Sequence, residues 1–206
     1  MNLRGTGDRG HQRRFDERGA SAVEAAIVTP IVMAMLFGII ELGFVFKDYL
    51  AVAGAVRAGV RMASANPRNA TFAQDAANKV AATGGAMNFN DVLQLWVYKV
   101  NPVTAAQFWQ DKPIGFGDFS NCTTCVKFRW DTGLNKFTPI TGGPESWLWS
   151  TQNACSSSSI GGPPDRIGVY IQLKHDGFTK FVFTTVNISE ASIMTLEPMP
   201  VLTGCR

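Results

Sequence analysis

From Ala25 to Ile40 the chain carries no charged residue, and apolar side chains continue past Glu41 to Phe46. As an α-helix the uncharged part covers about 24 Å, and the extension to Phe46 makes the run long enough for the roughly 30 Å hydrocarbon core of a bilayer. A charge at the bilayer centre costs about 2.5 to 3.5 kcal/mol on insertion scales. Glu24 and Glu41, which bracket the run, are therefore expected near its ends or against a partner.

Flanking charge gives the segment a direction. Arg4, Arg9, Arg13, Arg14 and Arg18 precede it, against Lys47, Arg57 and Arg61 soon after it. That bias places the N-terminus in the cytoplasm and the residues from about 48 onward outside. The cysteines agree, because Cys122, Cys125, Cys155 and Cys205 all lie beyond the run. An even number on one side of a membrane fits disulfides in an oxidising compartment, with three pairings open. The net charge of +3 comes mostly from the arginine-rich leader. No basic stripe with interleaved aromatics follows, which argues against a nucleic-acid partner.

A cleaved secretory signal is the competing reading. Ala51-Val52-Ala53 and Ala63-Ser64-Ala65 resemble small-residue cleavage sites, yet the apolar run exceeds the roughly 7 to 15 residues of a signal's apolar region.

Beyond the run a helical pattern persists until Asn66-Pro67-Arg68-Asn69, where proline ends it. Ala51, Ala55, Gly59 and Ala63 recur every four residues, and Arg57 and Arg61 form a narrow polar stripe. Small residues at that spacing let helix backbones approach, so this row is a candidate for packing against neighbouring subunits; the alternative is a helix that caps its own domain. A second helix is predicted over 71–82, with Ala73, Ala76, Ala77 and Val80 on its apolar side and Gly84-Gly85 at its end.

After Gly85 the pattern predicts strands at 92–100, 125–130, 166–173, 178–183 and 188–196. In the third, Ile167, Val169, Ile171 and Leu173 alternate with Gly168, Tyr170 and Gln172, which predicts burial of one face only. Asp176-Gly177 predicts a hairpin turn before the fourth strand, with His175 leading into it. Residues 101–124 and 131–164 are rich in Gly, Pro, Ser and Asn and are expected as long loops. The fold class is α+β: a long N-terminal helix, membrane-spanning at its start, then a short helix and a small antiparallel sheet. Three regions follow: a charged cytoplasmic leader over 1–19, a spanning and projecting helix over 20–65, and an extracytoplasmic domain over 66–206.

Glu17-Arg18-Gly19-Ala20-Ser21-Ala22-Val23-Glu24-Ala25-Ala26, then Pro30, then Phe37-Gly38-Ile39-Ile40-Glu41-Leu42-Gly43, then Ala55-Val56-Arg57-Ala58-Gly59-Val60-Arg61, resembles the TadE-like pseudopilins of the tight-adherence pilus system. The resemblance covers about residues 17 to 63. It implies a structural component of pilus assembly in the inner membrane, with other pseudopilins and the membrane assembly platform as partners beside the lipid bilayer. In processed members a prepilin peptidase cuts after a glycine and an acid lies fifth in the mature chain. Here that implies a cut between Gly19 and Ala20, with Glu24 as a subunit-packing acid able to neutralise the new α-amine of a neighbour at low dielectric. Met194-Thr195-Leu196-Glu197-Pro198 resembles the closing strand of many members.

No catalytic constellation, metal set or cofactor motif accompanies these features. Cys122-Thr123-Thr124-Cys125 lacks a second ligand pair for zinc, and it precedes a strand rather than opening a helix as a redox pair would. No Gly-x-Ser-x-Gly, His-Glu-x-x-His or phosphate-cradling glycine loop occurs. The expectation is a non-enzymatic protein. An anchored adhesin or ligand-binding domain is the alternative, with the aromatic loop around Trp147 and Trp149 as its contact surface.

Overall fold

The computed structural model describes residues 10–102, 111–140, 152–155, 163–180 and 183–199, with side chains from residue 19 onward. Two compact units divide the chain between Gly43 and Phe44. Helix α1, Gly10–Ala65, runs through 56 residues and contains Pro30. Proline removes one backbone donor from the ladder, a defect that membrane helices tolerate.

Helix α2, Phe72–Thr83, buries Phe72, Ala73, Ala76, Ala77 and Val80, the three- and four-residue spacing of one helix face. Gly84 closes it by donating its N–H to the Val80 carbonyl at 2.8 Å. A Cβ there would come within 3.0 Å of that same oxygen, so the tight exit calls for glycine.

Five strands follow: β1 Val92–Lys99, β2 Cys125–Asp131, β3 Lys136–Pro139, β4 Arg166–Asp176 and β5 Thr185–Thr195. They form one sheet in the order β3-β2-β1-β4-β5, antiparallel throughout. Central β1 sets the register, with Val97 opposite both Val126 and Val169. On one face Leu95, Val97, Val126, Phe128, Val169 and Ile171 meet the buried side chains of α2 and the last turns of α1 in a single core. The architecture is α+β, as the pattern of elements predicts.

Two strand assignments need correction. Strand β3 lies inside a stretch expected as loop. It is four residues long and ends at Pro139, which an edge strand tolerates. The turn before it closes when Asp131 Oδ1 accepts the N–H groups of Gly133 and Leu134 at 2.9 and 3.0 Å. Conversely, 178–183 is not a strand among its described residues. Lys180 sits at φ 54°, which no ladder accommodates, while β4 continues to Asp176 and pairs it with Thr185. The hairpin connection is therefore Gly177 to Thr184, closed by a 3.0 Å bond between its ends, rather than a tight Asp-Gly turn.

The expected one-sided burial of β4 is also corrected, since Gly168 and Tyr170 are buried as well. The segment from Asp111 to Thr124 folds over the second face and covers Trp96, Tyr98, Val100 and Tyr170 with Phe119 and Cys122. Phe119 stacks on Tyr170 at 4.0 Å between centroids, and the Cys122–Cys125 disulfide ties this cover to the start of β2. Tyr98 donates its hydroxyl to the Asp111 carbonyl at 2.8 Å. Burial, and then the Asp111 carboxylate, hold its phenol pKa far above the ordinary range. Gly168 lies against the Tyr98 ring, where a Cβ would overlap the ring atoms.

Candidate functional site

The first half of α1 is apolar and exposed. Ile27, Val28, Ile31, Val32, Met33, Met35, Leu36, Phe37, Ile39 and Ile40 all present large apolar surface. At 100° per residue they occupy every side of the helix. None of the apolar window is buried inside the protein, so this is not the core helix of a soluble domain. A helix apolar all round needs an apolar surrounding, and this one is long and apolar enough to cross a membrane. Glu24 is exposed near the start, whereas Glu41 is fully buried.

Gly19 and Ala20 lie within α1, and a side chain at Gly19 would meet nothing. An accessible helical glycine is also the easiest place to open a helix, because glycine is the poorest helix former after proline. The surroundings change near residue 48. Phe44, Phe46, Tyr49 and Leu50 remain exposed, but Asp48 binds His175 Nδ1 across the domain at 2.6 Å. Both partners are largely buried, and Lys47 pairs with the second Asp48 oxygen at 3.0 Å. This clamp has no sequence signal, since its members lie 127 residues apart.

From Ala51 onward α1 belongs to the core. Ala55 and Ala63 are fully buried and Ala51 partly so. Gly59 makes the closest approach: a Cβ would lie 2.6 Å from Val80 Cγ2 and 3.3 Å from the Ala76 carbonyl oxygen of α2. This small-residue row therefore packs on its own domain, the second of the two readings that its spacing leaves open. A repeat of small residues specifies a close neighbour but not which chain supplies it. Arg57 and Arg61 stay exposed on the opposite side. Cleavage after Ala53 would remove buried Val52 from the core, and cleavage after Ala65 would remove the whole helix with Val56 and Val60. The helix end is held besides by Glu197, whose N–H donates to the Ser64 carbonyl at 3.0 Å.

Of the remaining candidates, Cys122 and Cys125 are bonded to each other, and Cys155 is also disulfide-bonded. Cys205 and Trp147 lie outside the described residues. A cleft of about 340 Å³ borders Lys99, Pro102, Ile114, Pro163, Asp165 and Arg166. Its cations are engaged within the protein, Lys99 with Asp165 at 2.8 Å and Arg166 with the Asn101 carbonyl at 3.3 Å. Among the described residues no three His, Cys, Asp or Glu side chains gather as metal ligands.

No curated protein and no solved structure matches the chain significantly. The helix that geometry divides into an exposed apolar half and a buried small-sided half does have a match: residues 19–61, all within α1, fit the family model described as TadE-like protein.

Proposed function

We propose that this chain is a single-pass membrane component of tight-adherence pilus assembly, pseudopilin-like, structural and not enzymatic. The observation that carries the reading is the exposed, apolar first half of α1 inside the segment that matches the TadE-like family. The leader faces the cytoplasm, the helix crosses the inner membrane, and the disulfide-bearing domain stands outside. Other pseudopilins and the membrane assembly platform are its partners. A prepilin peptidase cuts between Gly19 and Ala20, leaving Glu24 fifth, where its carboxylate meets the α-amine of a neighbouring helix in a medium of low dielectric. The disulfides support the outward placement, because such bonds persist in oxidising compartments.

N-terminal sequencing of the membrane-extracted protein, with prepilin peptidase co-expressed, tests the processing step. A new terminus at Ala20 is expected, and a retained Met1 refutes cleavage while leaving the anchor in place. Protease added to spheroplasts tests orientation. It is expected to digest the domain beyond residue 66, and complete protection would refute the outward placement.

A further inference from the structure

The β4–β5 connection has an apolar tip for which the core has no use. Phe178 is 78% exposed, the most exposed large apolar side chain among the described residues. Single exposed apolar residues are ordinary, but the position of this one is not. Its ring lies 6.3 Å from that of Phe44, itself exposed in the last turns of the apolar run.

A second contact fixes the direction of the tip. His175 bonds Asp48, so helix residues 44 and 48 meet hairpin residues 178 and 175 in that order. Four helical residues rise about 6 Å, so between these two contacts the connection runs along α1 from Asp48 back toward Phe44.

Charge is arranged behind the tip. Lys180 is exposed at the turn, Lys174 pairs with Asp176 at 2.9 Å, and Lys47 is half-exposed beside Asp48. An aromatic tip beside Phe44, with an exposed lysine next to it, suits the headgroup region, where aromatic rings sit at the acyl boundary and lysine stems reach lipid phosphates.

We propose that the β4–β5 hairpin tip is a second membrane-contacting element, with Phe178 entering the acyl boundary and Lys180 meeting lipid phosphates. This rests on the reading of α1 as a membrane span. It gives the domain two points of attachment to the bilayer instead of one.

The test uses the full chain in vesicles of phosphatidylethanolamine and phosphatidylglycerol, with a nitroxide on one introduced cysteine: Phe178→Cys, Lys180→Cys, Ile31→Cys or Leu134→Cys. Leu134, exposed in the β2–β3 turn, is the aqueous reference, and Ile31 reports the span itself. Relaxation by oxygen, which concentrates in lipid, is compared with relaxation by a water-soluble nickel chelate. At 178 the expected result is loss of the nickel effect and gain of the oxygen effect relative to 134, with 180 intermediate. Nickel access at 178 equal to that at 134, with 31 lipid-exposed, overturns the hairpin contact and leaves the anchor standing. Nickel access at 31 overturns both. Shielding of 178 from both reagents, with dipolar broadening between labels, would assign the tip to a second copy and likewise overturn the lipid assignment.

Discussion

Two halves of one helix obey different rules. Before residue 50, α1 presents large side chains on every side and buries almost none of them. After it, the helix narrows to Ala55, Gly59 and Ala63 on one flank, all buried, with Arg57 and Arg61 on the other. Backbone geometry is the same throughout, so the difference lies in what surrounds it. Bulk all round suits a fluid apolar medium that adapts to any shape, whereas small residues on one flank suit a fixed protein surface that must be approached closely.

The largest effect should come from breaking the first half. Ile31→Arg with Met35→Arg puts two charges on exposed positions of the apolar run, a combined insertion cost of about 5 to 7 kcal/mol. The carbonate-resistant membrane fraction should vanish. Persistent membrane association would mean that the first half is not the anchor.

Gly59→Leu reverses the experiment. Its Cβ alone would collide with Val80 and crowd the Ala76 carbonyl, and overpacking of this kind destabilises by about 3 kcal/mol at the upper end of its usual range. For a chain of this size that lowers Tm by roughly 6 to 12 °C. Membrane insertion should be unchanged. If instead Tm holds and only partner co-purification is lost, Gly59 faces another subunit and the contrast between the halves fails.

How far this contrast is readable without coordinates depends on the kind of signal. The apolar run, the break at Pro67 and α2 follow from local composition and periodicity, which a linear chain displays directly. Strand β3 does not, because four edge residues ending in Pro139 have little pattern of their own and are created by pairing with β2. The burial of Tyr170 was hidden for a related reason: its cover is Phe119, brought over the sheet by the Cys122–Cys125 tie. The row from Ala51 to Ala63 is visible as a packing surface, but its partner is not, since periodicity does not say whether α2 of the same chain or a helix of another supplies Val80, and Val169 comes from a strand far along the chain. The Asp48–His175 clamp is tertiary in the same sense.

That clamp marks the boundary between the halves. Asp48→Ala leaves His175 buried without the carboxylate it binds, and losing a partner of a hydrogen bond to a charged group costs about 2 kcal/mol. The expected reading is a Tm lower by roughly 4 to 8 °C, with faster amide exchange at the end of β4 and an unchanged membrane fraction. Exchange that rises uniformly over the whole domain would make Asp48 a general core contact rather than the point where the helix changes surroundings.

The smallest effect on stability is the most informative about assembly. Arg57→Ala with Arg61→Ala alters exposed positions in the buried half, and surface changes of this kind stay within about 0.5 kcal/mol. Tm and insertion should therefore be indistinguishable from the parent protein. Yet the inner flank of this half is occupied by α2 and β4, so any partner recognised through residues 51–65 must use the outer flank carrying Gly54, Arg57 and Arg61. Co-purification with the assembly platform should then fall while the fold stays intact. If it does not, the TadE-like match past residue 50 reflects the need to build the domain's own core, and recognition lies in the first half or on the sheet.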